Sequence, residues 1–269
     1  MMRKRIRKYL AIMELSFKNS VQYRLELLLW SFIDATPMLA MLVLWLSAFD
    51  GNDLIAGYTQ ASLIAYYISG YVFQDLTGSH FEEHMTKEVL SGNVSSSLIR
   101  PFSLRRFLVV EQLSWRVMTA LIIVSPVVMG AIVFAKDIMP AITFTHILIL
   151  PIMLAMAYIL ESIYSLFVVA MAFVFEEARG FMHLKWMLGW LFSGSMIPFE
   201  FMPVWLHKIA DFLPFQYRYY VPIQIYFGNV VGVEIWYSLI KQLMWLIIGL
   251  FFMRKLWDRN LKKFTAVGN

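Results

Sequence analysis

Apolar runs of about 18 residues or more recur along this 269-residue chain, and they limit what it can fold into. A run of that length with few charges crosses a bilayer as a helix, because lipid offers no partner to bare backbone N–H and C=O groups. Spans are predicted at about 25–49, 57–76, 113–135 and 143–175, with a fifth ending near Pro198 and a sixth at about 233–253. The composition agrees: 60% of residues are hydrophobic and 15% charged, against roughly 25% charged in an ordinary soluble domain. The expected fold is therefore all-α, a polytopic membrane protein of six transmembrane helices forming one domain over 1–269.

The basic residues set the expected orientation. Eighteen Lys and Arg fall in the N-terminal segment, the second and fourth loops and the C-terminal tail, against three in the other loops. Positive charge collects on the cytoplasmic side, so both termini are expected there. Because these charges flank spans, the net charge of +5 is a topology signal and no nucleic-acid partner is expected. The basic start resembles a signal-peptide n-region. The next apolar run begins only at Leu25 and is too long for an h-region, so the first span is expected to be retained. With no cysteine in the chain, disulfides and thiolate chemistry are excluded.

Two segments are neither spans nor plain loops. In 1–24, Ile6, Leu10, Met13, Phe17 and Val21 recur at steps of three or four, with Arg3, Lys4, Lys8 and Lys18 between them. That pattern predicts an amphipathic helix on the cytoplasmic leaflet, basic side chains meeting anionic membrane lipids. It serves equally as a topology anchor. The segment 199–232 is greasy yet broken by Pro203, Pro214 and Pro222, with an amphipathic stretch at 203–213. A re-entrant or interfacial helical hairpin on the outer side is expected, its irregular backbone shielded by protein.

No phosphate-binding Gly-x-x-x-x-Gly-Lys-Ser/Thr loop, His-Glu-x-x-His or Gly-x-Ser-x-Gly occurs, so no catalytic centre and no metal are expected in this chain. His80 and His84 are four apart, the spacing of one helix face, with Glu82 and Glu83 between them; a solvated surface is the default reading. Asp34 and Glu161 fall inside predicted spans, where a charge is costly. Each is either a proton, cation or substrate site or a group paired across helices. No intramembrane Lys, Arg or His relay accompanies them in this reading.

Two stretches carry a family resemblance. The loop reads Val89-Leu90-Ser91-Gly92-Asn93-Val94, then Leu98-Ile99-Arg100-Pro101-Phe102. The outer segment has Ser193-Gly194, Pro198, Pro203 with Trp205-Leu206, Leu213-Pro214-Phe215, Pro222 and Gly228. Together they resemble ABC-2 type transporter permeases, the membrane subunits of ATP-driven exporters; Ile99 and Asn93 depart mildly from the pattern. The resemblance implies a cytoplasmic coupling loop at 77–111 whose helix falls near 81–90. Phe81, Met85 and Val89 form a stripe there, with Glu82, Glu83, Thr86 and Lys87 off it and Arg100 ending the region.

Such a helix docks in a groove on a separate ATPase. The resemblance further implies two copies of that ATPase, which would hold ATP and magnesium, and a second permease, identical or homologous. The cargo would be amphiphilic: a drug, a peptide or a lipid-like molecule. Its path would lie at the subunit interface, where Tyr66, Tyr67, Tyr71 and Phe73 of the second span are candidates. A bacterial cytoplasmic membrane is the expected location. An ion-coupled transporter using Asp34 and Glu161, or a non-transporting assembly or sensor protein, is the alternative.

Overall fold

The computed structural model describes residues 2–22, 24–100, 102–175 and 178–264. Pro101 of the loop motif and the turn residues Glu176 and Glu177 lie outside them, as do the side chains of Arg3, Lys4 and Ile6. All regular elements among the described residues are helices, with no β-strand among them. The chain opens with α1 (Met2–Gln22) and α2 (Arg24–Ser47), then α3 (Gln60–Thr77), α4 (Phe81–Leu90) and α5 (Val94–Leu98). One continuous rod follows: α6 (Leu104–Thr119), a π-helical turn at Ala120–Val124 and α7 (Ser125–Phe134). Next come α8 (Phe144–Ala172), α9 (Arg179–Phe192), α10 (Val204–Phe212), α11 (Tyr220–Tyr226) and α12 (Val233–Leu261).

Local chemistry explains where several helices start and stop. Thr59 and Ser62 form a reciprocal capping box on α3: Ser62 N donates to Thr59 Oγ1 and Thr59 N to Ser62 Oγ. Thr143 and His146 repeat the device on α8, where His146 Nδ1 accepts from Thr143 N. Pro214 cannot continue α10, which ends at Phe212.

Four helices are long and apolar enough to cross a membrane: Leu28–Ser47, Leu104–Phe134, Phe144–Ala172 and Val233–Leu261. The expected second and fifth spans correspond to α3 and α9, which at 18 and 14 residues are shorter than those four. Fourteen residues extend only about 21 Å as a helix, so a crossing at α9 would also need the irregular chain after Phe192.

α8 is the axis of the bundle. α12 packs along it, with Gln242 Nε2 donating to Met153 O at 3.0 Å and Asn260 Nδ2 to Ala170 O at 2.8 Å. α1 lies against α6, where Ser114 Oγ donates to Met13 O. Part of its apolar stripe is thereby used inside the protein, while Leu10 and Val21 stay exposed.

The segment 199–232 is a helical hairpin whose tip reaches the middle of α8 and α12. Phe215 meets Tyr164 with ring centroids 5.2 Å apart, and Phe212 O accepts from Trp245 Nε1. From that tip α11 returns to the other end of α8, where Tyr226 Oη donates to Pro140 O and its ring meets His146.

Candidate coupling site and its buried ion pairs

α4 has acids, Glu82 and Glu83, in its first turn and Lys87 in its last, the charge order that suits a helix dipole. Its apolar residues recur every four positions and therefore share one face. That face points inward. Phe81, Met85 and Val89 are buried and share a core with Leu108, Leu166 and Val169. The stripe is thus the joint between α4 and the spans. The free face carries Glu83, His84, Lys87, Glu88 and Leu90, tied together by Lys87–Glu83 at 3.2 Å and His84–Glu88 at 3.9 Å. Ile99 and Arg100 stand exposed just beyond α5, and Ile99 is 86% accessible. His80 and His84 do not share a face: His84 is solvated, whereas His80 is half-buried beside Arg116. Burial, helped by the nearby Arg116, Lys185 and Arg218 charges, holds the His80 imidazole well below its usual pKa, so it is neutral.

Glu82 turns away from the free face, and its side chain is fully enclosed. It accepts from Lys185 Nζ of α9 at 2.7 Å. The same ammonium donates to Ser79 O at 2.7 Å and Ser165 Oγ at 2.8 Å, which uses all three of its protons. Glu161, one helical turn from Ser165 on α8, stands 3.9 Å from Lys185 through Oε2 and 3.3 Å from Arg218 through Oε1. An alternating row of charges, Glu82–Lys185–Glu161–Arg218, thus runs from the base of α4 to the tip of the 199–232 hairpin. Nearby, Arg116 of α6 donates to Asp75 O at 2.8 Å and lies 3.6 Å from its carboxylate, tying α3 to α6.

Of the two readings of Glu161, the structure shows the group paired across helices, and it corrects the expectation that no Lys or Arg accompanies it: two do. Lys185 and Arg218 both fall among the expected loop charges, but their side chains are largely buried. Taking one from each side leaves seventeen Lys and Arg against two. The signal was present as a single Lys in Gly180-Phe-Met-His-Leu-Lys185-Trp-Met-Leu and a single Arg among tyrosines at 217–220. Asp34 differs, remaining on the exposed side of α2, a helix whose apolar stretch is only 6% buried.

The four aromatic path candidates are occupied by packing. Tyr66 and Tyr67 are fully enclosed, and Tyr71 and Phe73 nearly so. Tyr66 Oη donates to Gly194 O at 2.7 Å, Tyr67 Oη to Met196 O and Tyr71 Oη to Ser31 O. Phe73 meets Tyr226 edge-on. They hold α3 to the outer segment and to α2. A carboxylate completes that junction: Glu200 accepts from Tyr58 Oη, Tyr220 Oη and Gln224 Nε2 at 2.7 to 3.1 Å.

No match appears among curated proteins. The family model described as ABC-2 family transporter protein matches residues 35–268, which takes in α3 through α12 and nearly all of the contacts above. Proteins of this family are membrane components of transport that normally work with ABC ATPase partners. A bundle of long apolar helices, matched over that range, makes this chain an integral membrane protein and a member of the ABC-2 transporter family.

Proposed function

We propose that the chain is the permease subunit of an ATP-driven exporter that moves an amphiphilic molecule out of the cytoplasm. Two copies of a separate ATPase supply hydrolysis, with ATP and magnesium bound there, and a second permease, identical or homologous, completes the pore. Six crossings place both termini in the cytoplasm, in a bacterial inner membrane, and 1–24 lies on the inner leaflet. The observation that carries the reading is the two-sided character of α4. Its apolar stripe is fastened to the spans while Glu83, His84, Lys87 and Glu88 are left on a free, charged face. A helix so mounted passes a push from a docked partner into the bundle. Arg100 and Ile99 extend the same cytoplasmic surface.

The experiment is recovery of the tagged chain from its native membrane. The reading requires an ABC ATPase in the eluate and loss of export in Glu83→Lys. A preparation that never contains an ATPase, with export intact in Glu83→Lys, would end it.

An ion-coupled transporter would need Glu161 to exchange protons or cations. Its place between Lys185 and Arg218 favours a fixed structural partner of two cations instead. Gradient-driven transport abolished by Asp34→Asn would revive that alternative.

A further inference from the structure

Lys185 sits between two carboxylates at unequal distances. Glu82 of α4 is at 2.7 Å and Glu161 of α8 at 3.9 Å. Among the described residues, Glu161 Oε2 makes no hydrogen bond, and neither does Glu82 Oε2 or Arg218 Nε. Glu161 therefore has an acceptor without a hydrogen bond beside the lysine, about 0.7 Å beyond bonding range.

Stability does not explain the arrangement. A buried ion pair can usually be replaced by apolar side chains with little loss, and its best-attested use is to fix a register or a switch. The four charges lie on four different elements: α4, α8, α9 and the 214–218 turn at the hairpin tip. Ser79 and Ser165, the lysine's remaining partners, sit on the α3–α4 connection and α8. A displacement of α4 relative to α9 changes the Glu82–Lys185 distance directly, because Glu82 lies in the first turn of α4.

We propose that Lys185 is a positioning residue that passes from Glu82 to Glu161 when α4 moves, loosening the hold of Glu161 on Arg218 and so releasing the tip of the outer hairpin. The step transfers no proton and breaks no covalent bond; one ammonium exchanges carboxylate partners. It rests on the permease reading, which supplies the force on α4.

The absence of cysteine makes a site-specific test direct. Lys208→Cys places a reporter on the exposed side of α10. The tagged chain is reconstituted in nanodiscs with its co-purified ATPase. Maleimide labelling of this chain is then timed with and without magnesium, ATP and vanadate. The expected result is a nucleotide-dependent change in labelling rate of about fivefold or more. It should be lost in Lys185→Met and in Glu161→Gln and kept in Lys185→Arg.

ATPase recovered with each variant marks the face of α4 as intact. Should one of the two variants fail to fold, the other decides. A nucleotide response that survives in Lys185→Met or in Glu161→Gln overturns the exchange and leaves the permease reading standing. So does a recovered ATPase with no change in the Lys208→Cys parent. Absence of any ATPase overturns both.

Discussion

Gly70 has no room for a methyl group: a Cβ there would stand 1.9 Å from Cζ of Tyr219, well inside contact. The missing side chain lets Tyr219 of the 199–232 hairpin approach α3, where it also packs on Tyr66 at 5.5 Å. Gly70→Val is expected to lower stability by about 1–3 kcal/mol, the usual range for overpacking. Combination with Tyr219→Leu should recover part of that loss, measured by thermal unfolding in detergent. Gly194 has a related constraint, since its φ of +86° is left-handed and a Cβ would meet Tyr66 Oη at 2.9 Å.

A second residue-scale expectation concerns His80. It is neutral in the fold but has a pKa of about 6.5 once unfolded. The unfolded chain therefore binds more protons below that pH, and the stability His80 contributes is present above it and lost as pH falls through it. The melting temperature should drop between about pH 7 and 5.5. The drop should be smaller in His80→Gln, and an identical acid dependence in that variant would contradict the assignment.

At the scale of elements, α4 divides its residues between two tasks, and substitutions on its two faces should separate them. Charge reversal on the free face, Glu83→Lys with Lys87→Glu, preserves the intrahelical pair while inverting the pattern offered to a partner. It is expected to leave the melting temperature nearly unchanged, exposed i,i+4 pairs being worth about 0.3–0.5 kcal/mol, and to abolish recovery of the ATPase. Met85→Ala on the other face should cost about 2–5 kcal/mol through its cavity, read by the same unfolding assay.

The existence of α4 was legible from the four-residue recurrence of Phe81, Met85 and Val89. Which face was free was not. An apolar stripe is equally consistent with docking on a partner and with docking on the chain's own spans. Only the position of α8 beside it distinguishes the two. The same limit applied to Tyr66 and Tyr67, because a row of aromatics reads alike whether it lines a path or, as found here, hydrogen-bonds the backbone at 194 and 196.

For the whole molecule, six crossings with both ends inside imply a definite pattern of accessibility, and the chain's lack of cysteine allows it to be read one site at a time. Asp53→Cys and Lys136→Cys should react with a membrane-impermeant maleimide added outside intact cells. Ser96→Cys and Lys262→Cys should react only after the membrane is opened. Four crossings, made by the four longest helices alone, would instead leave α3 and α9 off the membrane and change the side of at least one of these sites.

The helical class, the membrane and an expected inside followed from the sequence alone. Run length and the placement of Lys and Arg are local properties that bilayer thickness and membrane charge act on directly. The partners of Glu161, the inward turn of Glu82 and the depth of the outer hairpin were decided by tertiary structure. An ion pair such as Lys185–Glu82 joins residues about a hundred positions apart, and no periodicity encodes that distance. Lipid exclusion explains why the pairing forms at all. A buried charge must find its counterpart inside the protein, and the fold alone determines which one is within reach.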